Sequence, residues 1–205
     1  MTDHDMERRL TSLPDEEDMV IAESGGSMTG NDPYMRHRLR TKVEVWERLG
    51  ACAMVLGWVT RGYDLWFNTP CPPMRTSNQP SCFEPRAQFE FVDNSIKELL
   101  ARGVIGKWDP EWGSPMVISP LKVVDKKGNK FRLILDLSKL NRHLRFPKFK
   151  YDSVKSVAKV FDQGDWLFSW DLKDGYWHTD LHESAWTYMC FEWEGQLYYF
   201  AVRLW

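Results

Sequence analysis

Residues 168–181, FSWDLKDGYWHTDL, put a carboxylate where a core strand should run on. Leu167, Phe168 and Trp170 are apolar and strand-like, so Asp171 arrives at the end of a buried strand. An unpaired carboxylate is costly to bury and is kept mainly where a cation or hydrogen-bond donors meet it. Lys173, Asp174 and Gly175 then break the strand, and Tyr176 follows five residues after Asp171. These six residues alone also fit an Asp capping the turn after a core strand. The flanking sequence has to separate the two readings.

Upstream, residues 116–119 and Val123-Val124 are short strand signals, and residues 125–129, DKKGN, are made of turn formers. Residues 131–137 return as a second strand, with Arg132 and Asp136 set among aliphatics. A hairpin of this kind carries cations out over a site on a stiff ribbon, which suits a triphosphate. Downstream, residues 188–202 contain a further aromatic hairpin that turns at Glu194-Gly195.

Charge is distributed in a way that supports this picture. Residues 1–30 hold eight acids against Arg8 and Arg9, a net of −6, within a chain whose total is −2. Residues 120–160 hold twelve Lys or Arg against Asp125, Asp136 and Asp152, a net of +9, which is a footprint for phosphates or a solvated lysine-rich face. The four cysteines, Cys52, Cys71, Cys82 and Cys190, have no C-x-x-C spacing and are expected to be free thiols without disulfide partners. No signal peptide is legible, and the apolar run 51–59 is too short to cross a bilayer, so no membrane contact and an intracellular location, cytoplasmic or nuclear, are expected.

The acidic, Gly- and Ser-containing segment 1–33 predicts a disordered tail. Leu39, Val43, Trp46 and Leu49 recur at helical spacing, which predicts an amphipathic helix over 38–49 ended by Gly50. Residues 71–85 read as a Pro-containing linker or extended arm. Asp93, Asn94 and Ser95 offer caps for a short helix that turns Ile96, Leu99 and Leu100 inward and stops at Gly103. His178 and His182 stand four apart beside Glu183, but a zinc pair needs a helix beneath it and a third ligand, so metal is not expected there. Trp166, Trp170, Trp177 and Trp186 have faces on which bases stack, although packing in a core explains them more simply.

The spacing D-L-K-D-G-Y of residues 171–176 resembles the first palm motif of reverse transcriptases. Residues 114–141 resemble the fingers hairpin of the same enzymes, and residues 188–202 resemble the hairpin that follows. The three stand in the family's order across residues 92–202, about half the chain, and the likeness points to retrotransposon enzymes of the DIRS or long-terminal-repeat type. Residues 38–70 resemble the lead-in of DIRS-type polymerases, a less specific likeness. The resemblance implies an α+β fold with three parts: a disordered acidic tail (1–33), a helical lead-in and linker (34–90), and a fingers and palm fragment with an antiparallel sheet (91–205).

It also implies an RNA-directed DNA polymerase, a nucleotidyltransferase using two metal ions, with Mg²⁺, template-primer RNA or DNA and deoxynucleoside triphosphates as its partners. Asp171 would be the catalytic metal ligand, with the Leu172 carbonyl as a second ligand. Arg132 would pack on the incoming base and reach its phosphates, Lys126 or Lys127 would meet the γ-phosphate, and the Asp174 amide would cradle the triphosphate. Tyr176 would be a steric gate filling the space a ribose 2′-hydroxyl needs. The family's downstream Asp-Asp pair has no counterpart in these 205 residues, so an inactive, truncated polypeptide is expected, with an open edge beside Phe168, Trp170 and the aromatic hairpin. The alternative is a non-catalytic nucleic-acid-binding remnant.

Overall fold

The computed structural model of the chain describes residues 18–24, 34–127, 130–145, 164–166 and 175–204. Helices and two sheets mix along the chain in the α+β manner expected. The first strand, β1 (Asp18–Glu23), lies inside the segment whose composition predicts a disordered tail. Its apolar residues are the reason: Ile21 and Ala22 are buried in the core and outweigh the surrounding acids.

A 3₁₀ turn (Arg40–Lys42) leads into α1 (Val43–Arg48), half the helix expected over 38–49. No α1 residue is buried and Leu49 is 75% exposed, so the predicted apolar stripe is not a core face. The apolar run after Gly50 makes a helix of its own, α2 (Ala53–Arg61), with Val59 buried. Gly62 ends α2 at φ +94°, where a Cβ would lie 2.6 Å from the His182 nitrogen. Tyr63 and His182 then exchange backbone hydrogen bonds with their neighbours: Tyr63 N–H donates to the Asp180 carbonyl at 2.8 Å and His182 N–H to the Tyr63 carbonyl at 3.0 Å.

The arm at 71–85 is extended, as expected. It contributes β2 (Met74–Arg75) and a 3₁₀ turn (Pro80–Cys82) whose Cys82 is buried. The next helix, α3 (Arg86–Ala101), starts seven residues before the cap residues foreseen from sequence. Asp93 and Ser95 sit inside it, where Asp93 pairs with Lys97 one turn on at 2.6 Å and the Ser95 hydroxyl donates to the Phe91 carbonyl. Helix entry is set instead by Pro85, whose extended backbone precedes the first turn. The buried stripe is Gln88, Val92, Ser95, Ile96 and Leu99, and the stop at Gly103 falls where it was expected.

Then follow β3 (Ile105–Lys107), a 3₁₀ turn (Pro110–Trp112), β4 (Val117–Ile118), β5 (Leu121–Lys126), β6 (Lys130–Asp136) and α4 (Ser138–Asn141). After the 3₁₀ turn Gly175–His178 come α5 (Glu183–Trp186), β7 (Cys190–Trp193) and β8 (Gln196–Phe200). β5 and β6 form the expected hairpin, in register from Leu121↔Leu135 to Lys126↔Lys130, and β1 adds to β6 as a third antiparallel strand. The second sheet is mixed, in the order β2-β4-β7-β8-β3, with parallel pairs at β2/β4 and β4/β7.

The β7–β8 hairpin turns at Glu194 (φ +49°) and Gly195 (φ +74°), the pair of positive dihedrals that a tight hairpin turn compatible with strand twist requires. The turn was foreseen at those two residues; the surroundings of the hairpin were not. β4 pairs with β7 and β3 with β8, so neither strand of the aromatic hairpin is an open edge. Phe168 and Trp170 lie outside the described residues. Phe191, Trp193 and Phe200 are among the largest fully buried side chains, with Phe83 and Phe89 against the Trp193 ring at 5.4 and 5.2 Å.

Gly62 offers a direct test of how the end of α2 docks on residues 181–182. Gly62→Ala combines an unfavourable φ with a clash against backbone, so it should lower stability by about 1–3 kcal/mol, read as a lower thermal midpoint by circular dichroism.

Candidate functional site

The β5–β6 hairpin places two of the foreseen phosphate-binding cations on one carboxylate. Lys126 closes β5 and Arg132 lies in β6, directly across from Glu23 of β1. Glu23 Oε2 accepts from Lys126 Nζ at 3.2 Å, and Glu23 Oε1 accepts from Arg132 Nε. Partial burial pulls the Glu23 carboxyl upward, but the hydrogen bonds and charges of Lys126 and Arg132 outweigh it and hold the group below its ordinary value of 4.5. A carboxyl lowered on folding contributes stability above its unfolded value and loses it as pH falls through the lower folded one. The contact should therefore persist from neutral pH to about 4.5 and weaken only on further acidification, followed by the amide resonances of β1.

The hairpin is tied to the rest of the fold by Asp125, which accepts from Gln88 Nε2 of α3 at 3.0 Å, and by the Phe91–Phe131 ring contact at 5.6 Å. Asp136 turns inward on its own chain and caps the Ser138 N–H at 3.0 Å. Lys127 is exposed beside Lys126 and has no charged partner among the described residues. Asp171, Leu172 and Asp174, the foreseen metal ligands and triphosphate cradle, lie outside the described residues.

Tyr176 stands in the 3₁₀ turn Gly175–His178 with 56% of its surface exposed. The cation near its ring is Arg203, 6.0 Å from the centroid, which also lies over Tyr63 at 4.4 Å. Arg203 was missed from sequence; its setting between apolar residues in AVRLW was the available signal. Next to Tyr176, Trp177 lies under the Arg102 guanidinium at 4.9 Å, and Trp186 stacks on Tyr199 at 4.4 Å, so both serve packing. Trp166 differs, with 98% of its surface exposed.

A second missed residue is Asp180, a buried carboxylate. Its Oδ1 accepts from the His37 backbone N–H at 2.8 Å, and its Oδ2 pairs with His37 Nδ1 at 2.9 Å. His37 has φ +66°, and these bonds hold that left-handed turn in place. Arg36 and Arg40 beside the turn line a cavity of about 490 Å³ together with Arg61 of α2, and Arg36 stacks over Trp186 at 4.8 Å. His182 caps α5, accepting from the Ser184 N–H, while Asp64 lies 3.2 Å from its Nδ1. His178 instead faces Arg38 at 3.5 Å, so the two histidines have separate surroundings. Asp180→Ala should cost about 1–3 kcal/mol by stranding the His37 donors, measured by urea denaturation.

No family model matches the chain. The chain is 30% identical over 95 residues to the retrovirus-related Pol polyprotein from transposon gypsy of Drosophila melanogaster, a match covering 46% of this chain and 9% of that protein. It is 22% identical over 94 residues to the corresponding polyprotein from transposon 297 of the same organism, with the same two coverages. The matched region is thus a small part of each polyprotein's length. Among solved structures, the native prototype foamy virus protease-reverse transcriptase superposes with a TM-score of 0.51 at 16% identity, over 67% of this chain and 17% of that one. The foamy viral enzyme in complex with an RNA/DNA hybrid gives a TM-score of 0.50 at 16% identity, with the same coverages. In fold and sequence together the chain resembles a retroelement reverse-transcriptase region. Its relatives are the Pol polyproteins of transposons, and its architecture is similar to that of reverse transcriptase.

Proposed function

We propose that this chain supplies the fingers and palm part of a retroelement RNA-directed DNA polymerase, which transfers nucleotides onto a primer paired with an RNA or DNA template. The observation that carries the reading is the β5–β6 hairpin: it presents Lys126 and Arg132 together, upstream of D-L-K-D-G-Y, on a reverse-transcriptase-like fold. Arg132 and Lys126 bind the triphosphate of the incoming deoxynucleotide, Lys127 adds charge at the hairpin tip, and the Asp174 amide completes the cradle. Tyr176, more than half exposed, excludes a ribose 2′-hydroxyl. An Asp carboxylate and a backbone carbonyl are hard oxygen donors suited to Mg²⁺, so Asp171 and the Leu172 carbonyl would hold it. When bound, the ion neutralises phosphate charge and favours attack by the primer hydroxyl.

The reading is tested by titrating Mg²⁺ and deoxynucleotide into the chain on a primed RNA template. Arg132→Gln should weaken triphosphate binding about tenfold or more, the worth of a charge-assisted hydrogen bond to phosphate. Unchanged affinity in both Arg132→Gln and Lys126→Gln would remove the hairpin from the nucleotide site.

Within these 205 residues Asp171 has no Asp-Asp partner, an observation that favours a second reading: a nucleic-acid-binding unit that does not catalyse on its own. The polypeptide by itself should then bind nucleic acid without extending a primer. Binding should be independent of sequence and fall linearly with salt on logarithmic axes. Replacing Lys126, Lys127, Lys130 and Arg132 with Gln should flatten that slope. Primer extension by the purified 205 residues, abolished in Asp171→Asn, would overturn the second reading in favour of a catalytically complete chain.

A further inference from the structure

The acidic N-terminal segment docks on the same cations that the nucleotide needs. Glu23 lies opposite Arg132 in the β1–β6 ladder, and its two carboxylate oxygens are divided between Arg132 and Lys126. One carboxylate facing two cations on a hairpin reproduces, with one charge, what a phosphate group would offer there. We propose that Glu23 is a built-in competitor of the triphosphate, a carboxylate that occupies the Lys126–Arg132 site until a phosphate-rich ligand displaces it. This rests on the reading of Lys126 and Arg132 as triphosphate ligands.

The backbone around Glu23 explains why the competitor is held in place. On one side Ala22, like Ile21 before it, is buried in the core. On the other, the Ser24 N–H donates to the Phe131 carbonyl at 2.7 Å, and the Ser24 hydroxyl accepts from the Phe131 N–H. Glu23 is thus pinned at both neighbours, while its own side chain, like those of Lys126 and Arg132, is about two-fifths exposed. Exchange with a ligand requires the carboxylate to swing into solvent and leaves the strand in place. A solvent-exposed pair is also weak enough for a highly charged ligand to overcome. Apparent affinity for any ligand that needs both cations is the intrinsic affinity multiplied by the fraction of molecules in which Glu23 has swung away. Lys127, exposed next to the pair, supplies a first charge for an arriving polyanion.

Inorganic tripolyphosphate is a suitable probe, because it carries the charge without needing a base-paired template. Its binding to the full 205-residue chain is followed by isothermal titration calorimetry. Glu23→Gln keeps the shape of the side chain and should tighten binding about two- to tenfold, the range expected from releasing two exposed ion pairs, with the thermal midpoint little changed. In a background already carrying Lys126→Gln and Arg132→Gln, the same change should have no effect. Equal or weaker binding by Glu23→Gln, while Lys126→Gln and Arg132→Gln each lose affinity, would overturn the competitor and leave the nucleotide site standing. Binding that does not depend on Lys126 and Arg132, or no binding by either the parent chain or Glu23→Gln, would overturn the nucleotide site and the competitor with it. Binding that appears only in Glu23→Gln would support the competitor in its strongest form.

Discussion

Burial of the β7–β8 hairpin is the constraint on which the rest of the structure rests. Phe191, Trp193 and Phe200 need cover on both faces and along both edges, and the chain supplies it from far away in sequence. β4 and β3 close the edges, while the arm and α3 bring Phe83 and Phe89 onto Trp193. Large aromatic side chains contribute more burial per residue than any others, so the elements that cover them are strongly held. Asn78, in the arm, shows the coupling: its side chain donates to the Glu192 carbonyl of β7 and accepts from the Leu121 N–H at the root of the β5–β6 hairpin. The β5–β6 ribbon is thereby built on the packed β7–β8 hairpin.

Electrostatics works on top of this frame. Three charges at the hairpin, Glu23, Lys126 and Arg132, are half-exposed and add little stability individually. Their value lies in placement, since antiparallel register puts Glu23 across from Arg132 and leaves Lys126 within reach. Asp180 is the opposite case. It is buried, engaged by both the backbone and the ring of His37, and holds the His37 turn in place. One carboxylate is thus available for exchange and the other is structural, and burial makes the difference.

Much of the architecture was legible from the chain. The β5–β6 hairpin and its cations, the turn at Glu194-Gly195, the extended arm and the stop at Gly103 follow from local periodicity and turn chemistry, which act over a few residues. The start of α3, by contrast, was misplaced because Asp93 and Ser95 look like caps, yet side chains of those types also fit within a helix when paired one turn away. The α1 stripe failed for a related reason: helical spacing shows where apolar residues meet, not whether a core waits there.

Sequence by itself determined the β5–β6 and β7–β8 hairpins with their turns, and that Lys126, Lys127 and Arg132 would stand on the first of them. Only the tertiary structure decided what those residues meet. Acid content within 1–33 argues for disorder, but Ile21 finds the core and draws Asp18–Glu23 onto β6. That docking delivers Glu23 to Arg132 across 109 residues of chain, and Asp180 reaches His37 across 143. Such pairings depend on where separate elements pack against one another, and local propensity does not encode that.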